Sequence, residues 1–314
     1  MAARAPRPAP PMPHVEGVRH RDVTVRGVRL HVAEAGPQAG EAQTGPPILL
    51  LHGWPQHWYC WRHLIGPLAQ DGRRVIAPDL RGFGWSDAPA GPYDKQGLAD
   101  DVIALLDALE VDRVDLIAHD WGAWVGFLLA LDHPDRIVHY LAMAMVPLWP
   151  DPPSPQAALG LWRLWYQVVL ATPGVGPTVL RRSDFVENVL AKAAATGPDA
   201  AAAAPWTPAD LALFADALRQ PNHAEASSRV YRTFLTREAR EFAAGAYRAK
   251  RLAVPTVLLL GAQDPVIDQH RLGPWRDFAD DMTVVVRDDA GHFLPEEVPD
   301  AVLEQARGLF AGAS

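Results

Sequence analysis

Short apolar runs recur along this chain, and several stop abruptly at Gly, Asp or His. Residues 74–77, 114–117, 136–146, 256–260 and 282–286, together with Ile48–Leu51, read as strands. A run with no polar interruption, such as Ile48–Leu51, predicts a central strand covered on both faces. Alternating residues on either side of Gly27, over 22–26 and 28–33, predict a β-hairpin. Between the strands the spacing becomes helical, over residues 61–69 and again over 98–109, where Leu98, Val102, Leu105, Leu106 and Leu109 share a face. A last helix is predicted over 295–310. Strands alternating with helices imply an α/β class, with a mostly parallel central sheet flanked by helices.

The alternation breaks at Pro147, which is followed by Pro150, Pro152, Pro153 and Pro155. From 157 to about 245 the sequence is helical and irregular, without strand runs, and residues 191–204 are nearly all small, as in a loose loop. This predicts a core of residues 16–146 and 246–314, with 147–245 inserted as a helical lid over the strand ends. The Pro/Ala-rich residues 1–15 predict a disordered arm.

The sharpest transition lies at His119-Asp120-Trp121-Gly122. The run 114–117 ends there, and a helical pattern starts at once with Trp124, Val125, Leu128 and Leu129. Strand, one turn residue, then helix is the layout of a nucleophile elbow. Small Ala118 and Gly122 let the two elements pack closely. The turn residue is Asp, which is ionised near neutral pH and can attack saturated carbon to form an ester. Such chemistry suits the opening of an epoxide or the displacement of a halide. Alternatively, Asp120 simply caps the following helix.

Two more strand ends carry chemistry. Asp264 follows the run 256–260 and His292 follows 282–286. In a parallel sheet such points share one edge, so Asp120, Asp264 and His292 converge on one pocket, in the order nucleophile, acid, base. The run Ile48–Leu51 ends in His52-Gly53-Trp54-Pro55. That turn either aims the Trp54 N–H into the pocket as half of an oxyanion hole or is an ordinary strand-end turn. The Gly-rich residues 78–87 read as a structural loop, since no Gly-Lys-Ser/Thr follows to cradle a phosphate.

Composition narrows the function classes. Of 314 residues, 49% are apolar and 21% charged, which supports a sizeable core. A net charge of −8 without a long basic run argues against nucleic acid. The single cysteine, Cys60, allows no internal disulfide and fits a reducing compartment such as the cytoplasm. The longest apolar stretch, 121–131, is too short to span a bilayer, and the N-terminus lacks the apolar block of a signal peptide. No Cys/His cluster has zinc spacing, and His52 and His57 lack further ligands, so no metal or cofactor is called for.

From about residue 17 to 310 the chain resembles the α/β-hydrolase fold superfamily, and within it the epoxide hydrolases. The resemblance rests on His52-Gly53-Trp54-Pro55, Gly82-Phe83-Gly84-Trp85-Ser86, His119-Asp120-Trp121-Gly122, residues 261–264, and Gly291-His292-Phe293. Family members usually have Gly where Ala118 stands. Leu164-Trp165-Tyr166-Gln167 and Arg229-Val230-Tyr231-Arg232 resemble the lid segments that supply paired tyrosines. The resemblance implies Asp120 as nucleophile, His292 as base, Asp264 as its partner, and Tyr166 and Tyr231 as donors to the epoxide oxygen. It implies the N–H groups of Trp54 and Trp121 as oxyanion hole, and His52, Trp121, Trp165, Gln167 and Phe293 as substrate contacts. A small hydrophobic epoxide and water would then be the only partners, and a homodimer is compatible with the sequence. Haloalkane dehalogenases share the fold, the Asp and the His. Trp121 matches one of their halide-binding positions, and Trp149, Trp162 or Trp165 could offer a second. A hydrolase-like scaffold that binds a ligand without turnover is the third alternative.

Overall fold

The computed structural model describes residues 10–151, 165–195 and 205–312. One eight-stranded sheet organises them, in the order β1-β2-β4-β3-β5-β6-β7-β8. β1 (Arg19–Val25) and β2 (Val28–Ala35) form the expected hairpin, with Val25 paired to Val28. β2 meets β4 (Val75–Pro78) antiparallel. From there β3 (Ile48–Leu51), β5 (Val114–His119), β6 (Ile137–Met143), β7 (Thr256–Gly261) and β8 (Met282–Arg287) run parallel. The chain adds β4 on one side of β3 and β5 on the other. The order therefore reverses at β3/β5, where open α/β sheets place their binding crevice.

The central strands β3, β4 and β5 are buried along their whole length. α1 (Arg62–Gln70), which follows a 3₁₀ turn at Trp58–Trp61, α2 (Lys95–Ala108) and α3 (Trp121–Asp132) cover the sheet. α2 begins three residues before the first leucine because the Asp94 carboxylate caps the Gly97 N–H at 2.9 Å. α3 is apolar all round and is enclosed from Trp121 to Ala130.

Between β6 and β7 the described residues form helices: α4 (Trp165–Ala171), α5 (Val175–Arg182), α6 (Phe185–Ala193), α7 (Pro208–Leu218), α8 (Pro221–Thr233), a π-helical turn at Phe234–Glu238, and α9 (Ala239–Ala243). Three sequence expectations need correction here. Residues 191–193 belong to α6 rather than to a loose loop; residues 196–204 lie outside the described part. The last helix is two, α10 (Leu294–Glu297) and α11 (Pro299–Phe310). Pro299 keeps Val298 out of the helical region, at φ −137° and ψ 53°. The end of the N-terminal arm is held, since Met12 and Val15 pack on the core and the Trp85 indole donates to the Pro10 carbonyl at 3.2 Å. Residues 1–9 lie outside the described part.

The Gly-rich loop is built on Asp79, which is fully buried at the end of β4. Its carboxylate accepts from the Trp58 and Trp85 N–H groups at 2.8 and 2.9 Å and pairs with His31 Nδ1 at 2.8 Å. Burial alone would raise its pKa, but the neighbouring histidines and the hydrogen bond from His31 hold it at about 2. The loop is thus a rigid brace, as its sequence suggested.

Candidate active site

Asp120 sits alone between β5 and α3, at φ 52° and ψ −125°. A positive φ on a non-glycine residue is strained, and here it turns the carboxyl away from the helix toward a cavity. Close packing enforces the turn. A Cβ on Gly122 would lie 2.2 Å from the Leu51 carbonyl, and one on Gly53 would lie 2.4 Å from the Asp120 side chain. Only 8% of Asp120 is exposed, so it lies on the floor of the cavity and not at an open surface turn.

Two strand-end turns supply donors. The Trp54 N–H, just beyond β3, donates to Asp120 Oδ1 at 2.8 Å, and the Trp121 N–H at the start of α3 also donates to the carboxylate. The peptide bond before Pro55 is cis. His292, beyond β8, places Nε2 3.6 Å from Asp120 Oδ2. Its Nδ1 lies 2.7 Å from Asp264 Oδ2, beyond β7. Asp264 Oδ1 is fixed by the N–H groups of Val266 and Ile267, at 2.7 and 3.0 Å.

This packing sets the charges. Burial opposes the cation on His292. The charges of Asp264 and Asp120, with the hydrogen bond to Asp264, outweigh it and push the imidazole up to about 10. Burial likewise pushes Asp120 upward, but the nearby His292 cation leaves its pKa below the ordinary value. The resting site therefore holds an imidazolium between two carboxylates.

Tyr166 on α4 and Tyr231 on α8 line the same cavity, with ring centroids 6.1 Å apart. Trp54 stacks on Tyr166 at 6.2 Å and meets Tyr231 edge-on at 5.4 Å, while its indole N–H donates to Ser227 Oγ at 2.7 Å. Burial raises Tyr166 to about 12 and Tyr231 well above its ordinary value, so both hydroxyls keep their protons at neutral pH. The cavity has a volume of about 750 Å³ and is walled mainly by Trp54, Trp165, Phe185, Val189, Val266 and Phe293. Among the described residues, no group of His, Cys, Asp and Glu is placed to hold a metal ion, and no helix is long and apolar enough to cross a membrane.

With this geometry in view, the matches to known proteins are informative. Residues 46–299 fit the model of the alpha/beta hydrolase fold family. The soluble epoxide hydrolase of Corynebacterium sp. (strain C12) is 30% identical over 308 residues, covering 94% of this chain and 98% of that one. The chain belongs to the epoxide hydrolase family of α/β-hydrolases. Epoxide hydrolase 2 of Siraitia grosvenorii is 41% identical, over a segment that spans 40% of this chain and 41% of that protein. The solved structure of the epoxide hydrolase CorEH without ligand superposes with a TM-score of 0.77 at 28% identity, over 95% of this chain and all of that one.

Several expected contacts of this family member fall elsewhere. His52 is fully buried and does not line the cavity. Its Nε2 accepts from the Leu80 N–H at 3.0 Å, so its Nδ1 carries the proton and donates to the Gly53 carbonyl at 3.1 Å. His52 therefore braces the turn that presents Trp54. The Trp121 indole also lies behind the cavity wall, between Trp124, Tyr231 and Phe234. Gln167 is buried beside Tyr166, outside the lining. Trp165, 58% exposed, and Phe293 do line the cavity. Trp149 stacks on Phe278 and donates to the Tyr247 carbonyl at 2.9 Å, and is not part of the lining. Leu164 and Trp162 lie outside the described residues.

Two supporting residues were given no role by the sequence, His119 although it belongs to the elbow motif and Glu297 without any signal. His119 donates from Nε2 to the His292 carbonyl at 2.8 Å, and burial lowers its pKa to about 4, so it is neutral. Glu297 is buried and accepts from three N–H groups: Gly291 at 2.8 Å, Phe293 at 2.7 Å and Ala195 at 2.7 Å. The His292 N–H donates to the Ala193 carbonyl at 2.8 Å. One carboxylate thus holds both neighbours of His292 and the end of the α6 segment. A glutamine there has a single acceptor oxygen and leaves at least one buried N–H unpaired, which costs about 1–3 kcal/mol. Glu297→Gln is expected to lower the melting temperature and to slow any step that relies on His292 by on the order of tenfold or more. Thermal melts with single-turnover kinetics check this; unchanged values in both would show that the loop needs no such brace.

Proposed function

We propose that this protein hydrolyses a small hydrophobic epoxide to a vicinal diol through a covalent ester on Asp120. The observation that carries this is one cavity holding the Asp120 carboxylate, the His292 imidazole and the two protonated tyrosines. Residues 147–245 act as a lid over the α/β core, and the lid contributes both tyrosines.

In the first step an Asp120 oxygen attacks an epoxide carbon, the ring C–O bond breaks, and the oxygen takes a proton from the Tyr166/Tyr231 pair. Raised tyrosine pKa values keep that proton available. The ester formed is neutral, so His292 loses one of the two charges that hold its proton. The tyrosinate takes that proton, which leaves His292 a neutral, usable base. In the second step His292 takes a proton from water, and the resulting hydroxide attacks the ester carbonyl. The N–H groups of Trp54 and Trp121 stabilise the oxyanion. Cleavage of the acyl C–O bond releases the diol and restores the Asp120 carboxylate beside an imidazolium, as in the resting site. The displaced indoles of Trp121 and Trp149 weaken the halide-displacing alternative, because neither reaches the cavity.

The test exploits the leaving group. Halide departs as a stable anion, whereas an opening epoxide generates a strong base that needs the tyrosines. Tyr166→Phe and Tyr231→Phe are each expected to slow alkylation of Asp120 by about 10²-fold, and the double variant to abolish it nearly completely. Stopped-flow alkylation with aryl and alkyl epoxides beside 1-haloalkanes reads this. Wild-type release of halide faster than formation of diol, or full epoxide opening by the double variant, would reassign the protein.

A further inference from the structure

Lys95 is wholly enclosed at the first position of α2, an unusual place for an ammonium. Its Nζ donates to Glu238 Oε2 at 2.7 Å and to the Val230 carbonyl at 3.5 Å, and it lies 4.0 Å from the centre of the Trp121 ring. Three N–H bonds thus meet a carboxylate, a carbonyl and a π face. The other oxygen of Glu238 accepts from the Lys95 backbone N–H at 2.7 Å, a donor left free at the start of a helix. One carboxylate from the β6–β7 insertion therefore grips a single core residue at both ends.

What this grip holds is close to the reacting groups. Glu238 closes the π-helical turn that extends α8, the helix carrying Tyr231. Lys95 bonds the residue just before Tyr231 and rests on Trp121, the residue just after Asp120. Trp121 in turn meets Tyr231 edge-on at 5.8 Å and Phe234 at 4.9 Å. We infer that the Lys95–Glu238 pair is a positioning clasp that seats Tyr231 against Trp121 and so sets the rate of Asp120 alkylation. This rests on the function proposed above.

Stability alone explains the pair poorly. Burial lowers the Lys95 pKa despite Glu238, which marks the cost of enclosing the charge. Replacing a buried ion pair by neutral groups of similar shape is often neutral or stabilising. The clasp also leaves the second step alone, because His292 and Asp264 are held by different loops, and Lys95 touches the Trp121 ring while the Trp121 N–H is fixed at the start of the enclosed α3.

The decisive variant is Lys95→Met with Glu238→Gln. Met keeps the stem, and Gln keeps an acceptor for the Lys95 backbone N–H. The expected result is a melting temperature close to wild type, alkylation slowed at least about tenfold, and ester hydrolysis within twofold of wild type. Hydrogen exchange across residues 221–238 should rise in the same variant. Alkylation at the wild-type rate, or equal losses in both steps with a fall in melting temperature, would overturn the clasp. If the double variant does not fold, Glu238→Gln alone is judged by the same criteria. Hydrogen exchange needs no substrate and keeps the two ideas apart. Unchanged exchange overturns the clasp, whereas a wild-type protein that turns over no epoxide overturns only the functional proposal.

Discussion

Asp120→Ala is expected to reduce epoxide turnover by about 10⁴-fold or more, the scale on which loss of a nucleophile acts, while leaving a folded protein. In the proposed mechanism no ester forms without the carboxylate, and neither His292 nor the tyrosines can replace it. The fold should persist because the turn is fixed by its surroundings: Trp54 stays tied to Ser227, and α3 stays enclosed. Alanine pays somewhat more than aspartate at φ 52°, on the order of 1 kcal/mol. A second consequence is electrostatic. Asp120 is one of the two carboxylates that raise the His292 pKa to about 10, so its removal should bring that value down. The sign for stability follows. A group with a raised folded pKa contributes stability below its unfolded value, near 6.5, and loses it as pH rises toward 10. In the variant that loss should occur at lower pH. Turnover assays and an NMR titration of the imidazole measure both effects. Retention of more than a few per cent of the wild-type rate would remove Asp120 as nucleophile.

Much of this site was legible because strand ends in a parallel sheet share one edge. Asp120, Asp264 and His292 each follow an apolar run, so their convergence needed only the run boundaries and the sheet class. Trp54 was legible for the same reason. Expectation failed where a residue type was right but its packing neighbours lie far away in sequence. His52 and the Trp121 indole stand beside the site in sequence, yet backbone partners and packed rings turn them away from the cavity. The lid resemblance places Gln167 beside Tyr166 but does not say which face of α4 meets the cavity, and Gln167 lies outside the lining. Glu297 and Lys95 were invisible for a different reason. A carboxylate accepting three N–H groups, or an ammonium over an indole, looks in sequence like any charged residue near a helix start. The boundary errors were local chemistry: Asp94 starts α2 early, and Pro299 divides the last helix.

His292→Ala should separate the two steps. In the proposed mechanism alkylation uses the Asp120 carboxylate and the tyrosines, neither of which depends on the imidazole as a base. In the proposed mechanism hydrolysis does depend on it, because a neutral ester in a mostly apolar cavity yields to water only when a base removes the proton. The variant should therefore stop after one turnover, with one equivalent of epoxide attached to the peptide that carries Asp120. Intact-mass and peptide spectra with an epoxide that the wild type consumes would show this adduct. Hydrolysis should be slower than wild type by about 10³-fold or more. Asp264→Asn should be milder, since the imidazole remains but loses the partner at 2.7 Å that orients it and helps keep it basic. The acid side of the pH profile carries further information. Ester formation removes one anion from beside His292, so the base in the intermediate has a lower pKa than in the resting site, and hydrolysis should decline as pH falls through that lower value. Alkylation should decline only where Asp120 itself takes up a proton, below the ordinary carboxylate range. A His292→Ala protein that shows no adduct, or that releases diol at the wild-type rate, would mean that water attacks the epoxide without an ester on Asp120.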